Sequence, residues 1–195
     1  MTQQIGIVAY KAGNIASVVN ALARLGQNAR LVSGPAELTH LDKLIFPGVG
    51  HARPAMEQLQ STGMDEAIRA FHRPVLGICL GMQLMAGYSE EGAMQGLGLF
   101  PGSIKLFNGR SKVPHMGWNR IYNLKTPLFD GVEEGSHVYF VHSYYMPENG
   151  STIAHCDYEG PFAAAAAHKN FYGLQFHPEK SGAAGMRILQ RFLEL

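Results

Sequence analysis

The chain has 195 residues, enough for one domain with a sizeable core, and residues 1–195 read as that single domain. Sixteen basic and fifteen acidic residues give a net charge of +1 with no long basic run, which excludes polyanion binding as the main activity and sets nucleic acid aside as a partner. Two cysteines are too few for a disulfide framework, Met1-Thr2-Gln3-Gln4 lacks the charged and apolar regions of a signal peptide, and no apolar stretch is long enough to cross a bilayer. A cytoplasmic protein that does not engage a membrane is expected.

Residues 5–10 form a short apolar run, followed by Gly13-Asn14 and then Ile15, Val18, Val19, Leu22 and Leu25 at helical spacing up to Gly26. Strand signals recur at 29–32 and 43–46, the second running into Pro47-Gly48-Val49-Gly50 before helical stretches at 53–60 and 64–71. Residues 74–78 supply a further buried strand. Such alternation implies a parallel sheet with helices on both faces. After Gly87 the pattern changes: 103–107, 120–123, 137–146, 151–158, 162–167 and 171–176 read as strands separated by turn residues, a region rich in antiparallel pairing. The alanine tract 163–167 reads as a close-packed strand. Ser181 is expected to cap a last helix with Ile188, Leu189, Phe192 and Leu193 on one apolar stripe.

The chemistry concentrates at two places. In Gly77-Ile78-Cys79-Leu80-Gly81-Met82-Gln83 an apolar strand meets a cysteine between small neighbours and turns helical, the pattern of a nucleophile elbow. The sulfur then sits at a helix start, where peptide dipoles and free N–H groups favour negative charge, so Cys79 is a candidate nucleophile. The competing reading is a small buried residue at a strand end. In Phe176-His177-Pro178-Glu179 a strand ends in a histidine and a carboxylate two positions apart, and Pro178 biases His177 toward an extended conformation. Glu179 can then reach the imidazole edge that does not face the thiol, although His-Pro-Glu near a strand end also suits an ordinary turn. Two glycines around Val49 leave its peptide free to rotate, as an oxyanion donor requires and as a plain tight turn also uses. Nine histidines raise the question of zinc, yet none shows metal-ligand spacing and Cys156 neighbours only His155; neither a metal nor an organic cofactor is expected.

Gly77-Ile78-Cys79-Leu80-Gly81-Met82-Gln83 together with Phe176-His177-Pro178-Glu179 resembles the class I glutamine amidotransferase family, whose glutaminase domains use a Cys-His-Glu triad on an α/β sheet. Within it, Pro47-Gly48-Val49-Gly50, Val113-Pro114-His115-Met116-Gly117-Trp118-Asn119, Tyr139-Phe140-Val141-His142-Ser143-Tyr144 and Pro178-Glu179-Lys180-Ser181 are similar to the glutaminase subunits of imidazole glycerol phosphate synthases. The resemblance implies an α/β fold with a central, mostly parallel sheet flanked by helices and an additional antiparallel strand region. It implies hydrolysis of glutamine by Cys79, His177 and Glu179, with Gly48, Val49 and Leu80 at the oxyanion. Gln83 and Glu91, with the backbone of Gly48, Ser143 and Tyr144, would hold the amino-acid head.

The partner it implies is a separate cyclase subunit, a (β/α)8 barrel forming a heterodimer that uses the ammonia in histidine synthesis. Trp118, outside any periodic apolar pattern, is the expected anchor of that interface, together with Asn14, Tyr139 and Lys180; a core position is the alternative for the indole. Free hydrolysis wastes ammonia, so low activity before partner loading is expected, switched by rotation of the Val49 peptide. One departure is visible: Ala9-Tyr10-Lys11-Ala12-Gly13-Asn14 stands where relatives often carry an aspartate and an extra glycine. Two other functions compete, another amidohydrolase of the same fold such as a γ-glutamyl hydrolase, and a binding module in which Cys79 does no chemistry.

Overall fold

The computed structural model describes residues 3–10 and 15–195, so Asn14 lies outside the described residues. The early apolar runs become strands buried on both faces, as a sheet covered by helices on each side requires. β1 (Ile5–Val8), β3 (Lys43–Gly48) and β4 (Val75–Cys79) expose none of their residues, while β2 (Ala29–Val32) lies at the sheet edge beside β1 and buries Val32.

Successive strand residues point to opposite faces, and the side chains sort accordingly into two cores. Ile5, Ile7, Ile45, Leu76 and Ile78 pack with α1 (Ile15–Arg24) and α5 (Gly182–Glu194). Val8, Leu44, Phe46 and Val75 pack with α2 (Ala52–Thr62), α3 (Met64–Arg69) and α4 (Leu80–Leu84). Each fully buried Leu, Ile or Phe among them contributes about 1.5–3 kcal/mol of transfer free energy, which is why this layer is the rigid base of the molecule.

The second half of the chain adds β5 (Ala86–Ser89), β6 (Met94–Gln95), β7 (Phe100–Leu106), β8 (His115–Arg120), β9 (His137–His142), β10 (Tyr144–Tyr145), β11 (Thr152–Asp157), β12 (Pro161–His168) and β13 (Phe171–Leu174). The main sheet has the order β11-β12-β13-β4-β3-β1-β2. Its strands β13, β4, β3, β1 and β2 are parallel, and β12 and β11 extend it by antiparallel pairing. A four-stranded sheet, β10-β7-β5-β6, is mixed, its central β5–β7 pair parallel and its outer pairs antiparallel, and the β8–β9 ribbon is antiparallel. The alanine tract lies in β12, where Ala163 to Ala166 are fully buried. Among the described residues no helix is long and apolar enough to cross a membrane.

Four local expectations need correction. The single strand expected at 137–146 is two, β9 pairing with β8 and β10 with β7 in another sheet. The strand expected at 120–123 instead occupies His115–Arg120, because the partner strand β9 pairs Met116 to Val141 and Arg120 to His137. Beyond it, Tyr122 makes a single bridge to His155. The sequence signal misplaced this strand because His115, Gly117 and Asn119 lack strand propensity. β5 and β6 carried no strand signal, being short, with Gly87 inside the one and Gly96 directly after the other. Ser181 does occupy the position before α5, but its hydroxyl makes no cap bond and is used elsewhere.

Candidate active site

β4 is the middle strand of the seven, with β3 on one side and β13 on the other, all parallel. Their carboxyl ends therefore meet at one edge, where open α/β sheets place their ligands. Three loops leave this edge together: the Pro47–Gly50 segment after β3, the elbow after β4, and the segment after β13 that reaches His177. The register fixes their depth, with Gly48 opposite Cys79 and Leu174 opposite Ile78.

Cys79 has φ +53° and ψ −110°, a conformation that a non-glycine residue holds only when its surroundings enforce it. The enforcement is steric. A Cβ on Gly81 would lie 1.8 Å from the Phe46 carbonyl oxygen, and one on Gly77 would lie 2.8 Å from the Met82 nitrogen. Only glycine at both positions lets β4 and α4 close this tightly around the cysteine. The Cys79 sulfur lies 3.8 Å from the Val141 carbonyl and receives the Gln175 side-chain N–H at 3.8 Å.

His177 has an extended backbone, φ −97° and ψ 97°, immediately before Pro178, as the sequence predicts. Its Nδ1 is 2.8 Å from Glu179 Oε1, and both side chains are almost completely buried. A carboxylate oxygen accepts, so Nδ1 carries the proton and Nε2 is the free edge of the ring. Nε2 is buried and has no hydrogen-bond partner. Burial alone would lower the His177 pKa, but the adjacent Cys79 sulfur and the Glu179 carboxylate outweigh it and push it up to about 9. Because Nε2 has no partner at bonding distance, we attribute the sulfur's effect to proximity rather than to a formed hydrogen bond.

The Ser181 hydroxyl is employed on the histidine. It donates to the His177 carbonyl at 2.6 Å and accepts the Tyr139 N–H at 3.0 Å, while the His177 N–H donates to the Tyr139 carbonyl at 2.9 Å. The base is thereby tied to β9 on both sides of its backbone.

On the opposite side, Gly48 packs so closely that a Cβ there would lie 2.1 Å from the Tyr10 hydroxyl, and Tyr10 donates to the Pro47 carbonyl at 2.8 Å. Val49 follows, partly exposed, and Gly50 has φ +103°, a backbone state that suits glycine. Leu80 is the first residue of α4, so its N–H has no helical partner and is open to a ligand.

A cleft of about 360 Å³ gathers Val49, Cys79, Leu80, Gln83, Glu91, Ser143 and Tyr144, with Gly50, His51, Pro114, Val141 and His142 completing its lining; His177 and Glu179 are not part of that lining. Every residue proposed for substrate or oxyanion contact except Gly48 lines it. Gln83 spends both amide protons inside the protein, on the Tyr144 carbonyl at 2.8 Å and on Gln175 Oε1 at 2.9 Å, which leaves its oxygen for an incoming group. Glu91 accepts the Ala52 N–H at the start of α2 at 3.0 Å and lies 3.3 Å from His51 Nδ1. A larger open depression of about 1030 Å³ lies beyond Val49 and Gly50 along α2, but neither Cys79 nor His177 lines it. Among the described residues no group of three His, Cys, Asp or Glu side chains could hold a metal ion.

Outside the cleft, three of the residues expected on a partner face lie together. Trp118 is 57% exposed, packs edge-to-face on Tyr139 with ring centres 6.1 Å apart, and Tyr139 in turn lies under the Lys180 ammonium at 5.9 Å. The indole is therefore no core residue. Met116, 62% exposed, extends the same ribbon.

Sequence reasoning gave no role to Gln175, Ser181 as a clamp, Tyr10, or the pair His115 and His142. His115 lay outside every expected strand, so the pair becomes visible only once β8 and β9 set His115 opposite His142.

Comparison with known proteins agrees with this geometry. Residues 7–195 match the class-I glutamine amidotransferase family. The imidazole glycerol phosphate synthase subunit HisH of Bacteroides fragilis is 52% identical over 195 residues, 98% of this chain and 100% of that one. The subunit of the same name from Escherichia coli K12 is 47% identical over 185 residues, 93% and 94% of the two chains. The structure of PurLQS from Thermotoga maritima, 20% identical, superposes with a TM-score of 0.75 across 100% of this chain and 99% of that one, a likeness of fold alone. With its elbow, its sheet order and this similarity across nearly its whole length, the chain belongs to the class-I glutamine amidotransferase family, among the HisH subunits of imidazole glycerol phosphate synthase.

Proposed function

We propose that this chain hydrolyses glutamine to glutamate and ammonia through Cys79, His177 and Glu179. The ammonia passes to a separate (β/α)8 cyclase subunit, its partner in a heterodimer that makes imidazole glycerol phosphate and aminoimidazole carboxamide ribotide. The observation that carries the reading is the buried His177 ring: Nδ1 held by Glu179, Nε2 unpartnered, beside a cysteine kept in a strained elbow.

The chemistry follows from that arrangement. His177, whose pKa of about 9 lets Nε2 hold the proton given up by the thiol, leaves Cys79 Sγ to attack the side-chain amide carbon of glutamine, and the N–H groups of Leu80 and the Gly48–Val49 segment receive the oxyanion. His177 then gives its proton to the departing nitrogen, which leaves as ammonia. The thioester carries no charge on sulfur, so one of the two influences that raise the His177 pKa disappears. The imidazole is thereby better able to accept a proton from water, which attacks the thioester, releases glutamate and returns the thiol. Glu179 keeps Nδ1 protonated throughout. Rotation of the Val49 peptide would couple oxyanion binding to partner loading; one oxyanion donor is worth roughly 10²–10³-fold in turnover.

Cys79→Ala should abolish glutamine-dependent product formation by the assembled synthase and leave ammonia-dependent formation intact, since only ammonia release passes through sulfur. Retention of glutamine-dependent turnover would remove Cys79 from the reaction. The exposed Trp118, Tyr139 and Lys180 cluster is the proposed docking face, an indole being the kind of anchor that dominates interfaces. Trp118→Ala should weaken binding of the cyclase subunit while the urea midpoint of the isolated chain stays unchanged; unaltered affinity would move the interface elsewhere.

A further inference from the structure

The β8–β9 wall of the cleft, next to the triad, contains a chain of hydrogen bonds whose direction can be read atom by atom. The Tyr144 carbonyl can only accept, so His142 Nδ1, 2.8 Å away, must donate to it. In a neutral imidazole Nε2 is then the acceptor, and His115 Nδ1, 3.0 Å away, must be its donor. His115 Nε2 accepts in turn from the Asn119 side-chain nitrogen at 3.2 Å. Asn119 has no freedom to flip: its oxygen accepts the Arg120 N–H at 2.8 Å and its second amide proton goes to the Asp157 carbonyl at 2.8 Å. Every proton from Asn119 to Tyr144 has one place.

The two rings are built into the core. His115 and His142 are 4% and 6% exposed, His115 stacked on Phe140 and Tyr158 and His142 tilted against Phe107 and Phe162. Burial lowers the pKa of both, to about 4 for His115 and about 3 for His142, so both are neutral at neutral pH as the directed chain demands. A buried imidazole pair needs a use for such specificity. The Tyr144 carbonyl it ends on is the one that also receives Gln83, and His142, Ser143, Tyr144 and Gln83 all line the cleft.

We propose that His115 and His142 are positioning residues for the substrate: the directed chain Asn119, His115, His142, Tyr144 locks the backbone of Ser143 and Tyr144, and with it the Gln83 amide, in the orientation that receives the amino-acid head of glutamine. Neither ring exchanges a proton with the substrate. The inference rests on the glutaminase reading above, because it assigns the Ser143–Tyr144 segment to that substrate.

The test uses the full-length chain with its cyclase partner and compares three readouts: KM and kcat for glutamine, and the rate at which iodoacetamide alkylates Cys79, which needs the thiol but no amino-acid head. His142→Phe preserves aromatic packing and removes both hydrogen bonds. It should raise KM about tenfold with kcat within about threefold, the mark of lost ground-state binding. The alkylation rate should match wild type. His142→Gln, whose amide offers a donor nitrogen and an acceptor oxygen, should recover most of the lost affinity. Asn119→Ala, at the half-exposed start of the chain, should raise KM by a smaller factor, and it decides the matter if His142→Phe does not fold. An unchanged KM in the folded variants, or a Gln substitution no better than Phe, would overturn the positioning role. Wild-type protein that alkylates but does not hydrolyse glutamine would overturn the glutaminase reading instead.

Discussion

Two walls of one active site each bury imidazole, and they treat it oppositely. On the wall made by the ends of β4 and β13, His177 is 1% exposed and its pKa is pushed up to about 9; on the wall made by β8 and β9, His142 is 6% exposed and its pKa falls to about 3. Burial penalises the charged ring on both sides, so burial does not distinguish them. The partners do. His177 meets a carboxylate and a sulfur that can carry negative charge, whereas His142 meets a peptide carbonyl and another neutral ring. The walls are also electrically joined, since charge on His177 further disfavours charge on His142. One imidazole is thus equipped to hold and release a proton, and the others to keep their protons still.

The strongest way to break this comparison is to remove the charged ring. His177→Ala should lower glutamine turnover by roughly 10²–10⁴-fold, the usual range for loss of a general acid–base. Glu179→Gln keeps an acceptor near Nδ1 but removes its charge, so the His177 titration midpoint, followed by NMR of labelled histidine, should move below about 9. The His142 signal should show no midpoint near neutrality in either protein. A His177 midpoint unaffected by Glu179→Gln would mean that the carboxylate is not what separates the two walls.

The two walls were also unequally legible in the sequence. The elbow wall announces itself because each requirement is local: an apolar strand, glycines at 77 and 81, a cysteine between them, and His-Pro-Glu after a later strand. The reason for those glycines, contact of Gly81 with the Phe46 carbonyl and of Gly77 with α4, is tertiary, but its trace is a residue type. The parallel layer was legible for the same reason, since strands buried on both faces read as unbroken apolar runs. The ribbon wall has no such trace. His115 and His142 stand 27 positions apart and become a pair only through the β8–β9 register, in a strand whose bounds the sequence misplaced. Ser181 shows the same limit: its position before a helix predicts a cap, yet its hydroxyl is drawn to the His177 carbonyl because β9 comes to lie alongside.

A smaller effect should appear in stability rather than in turnover, with opposite sign on the two walls. For His115 and His142 the folded pKa lies below the ordinary value of 6.5. Below pH 6.5 the unfolded chain therefore takes up protons that the folded chain refuses, and their contribution, complete at higher pH, is lost as pH falls toward about 4 and 3. For His177 the folded pKa lies above 6.5, so its contribution is complete below pH 6.5 and is lost as pH rises toward about 9. Urea unfolding of the wild type and of the double variant His115→Gln, His142→Gln separates the two. The pair should make the wild type lose on the order of 2–3 kcal/mol more than the variant between about pH 6.5 and pH 5, because two unfolded-state histidines protonate in that window. Above about pH 7.5, where the unfolded-state histidines have lost their protons, the two proteins should run parallel, since His177 is common to both. Equal slopes on the acid side would mean that His115 and His142 accept protons in the folded protein, and the contrast between the walls would fail.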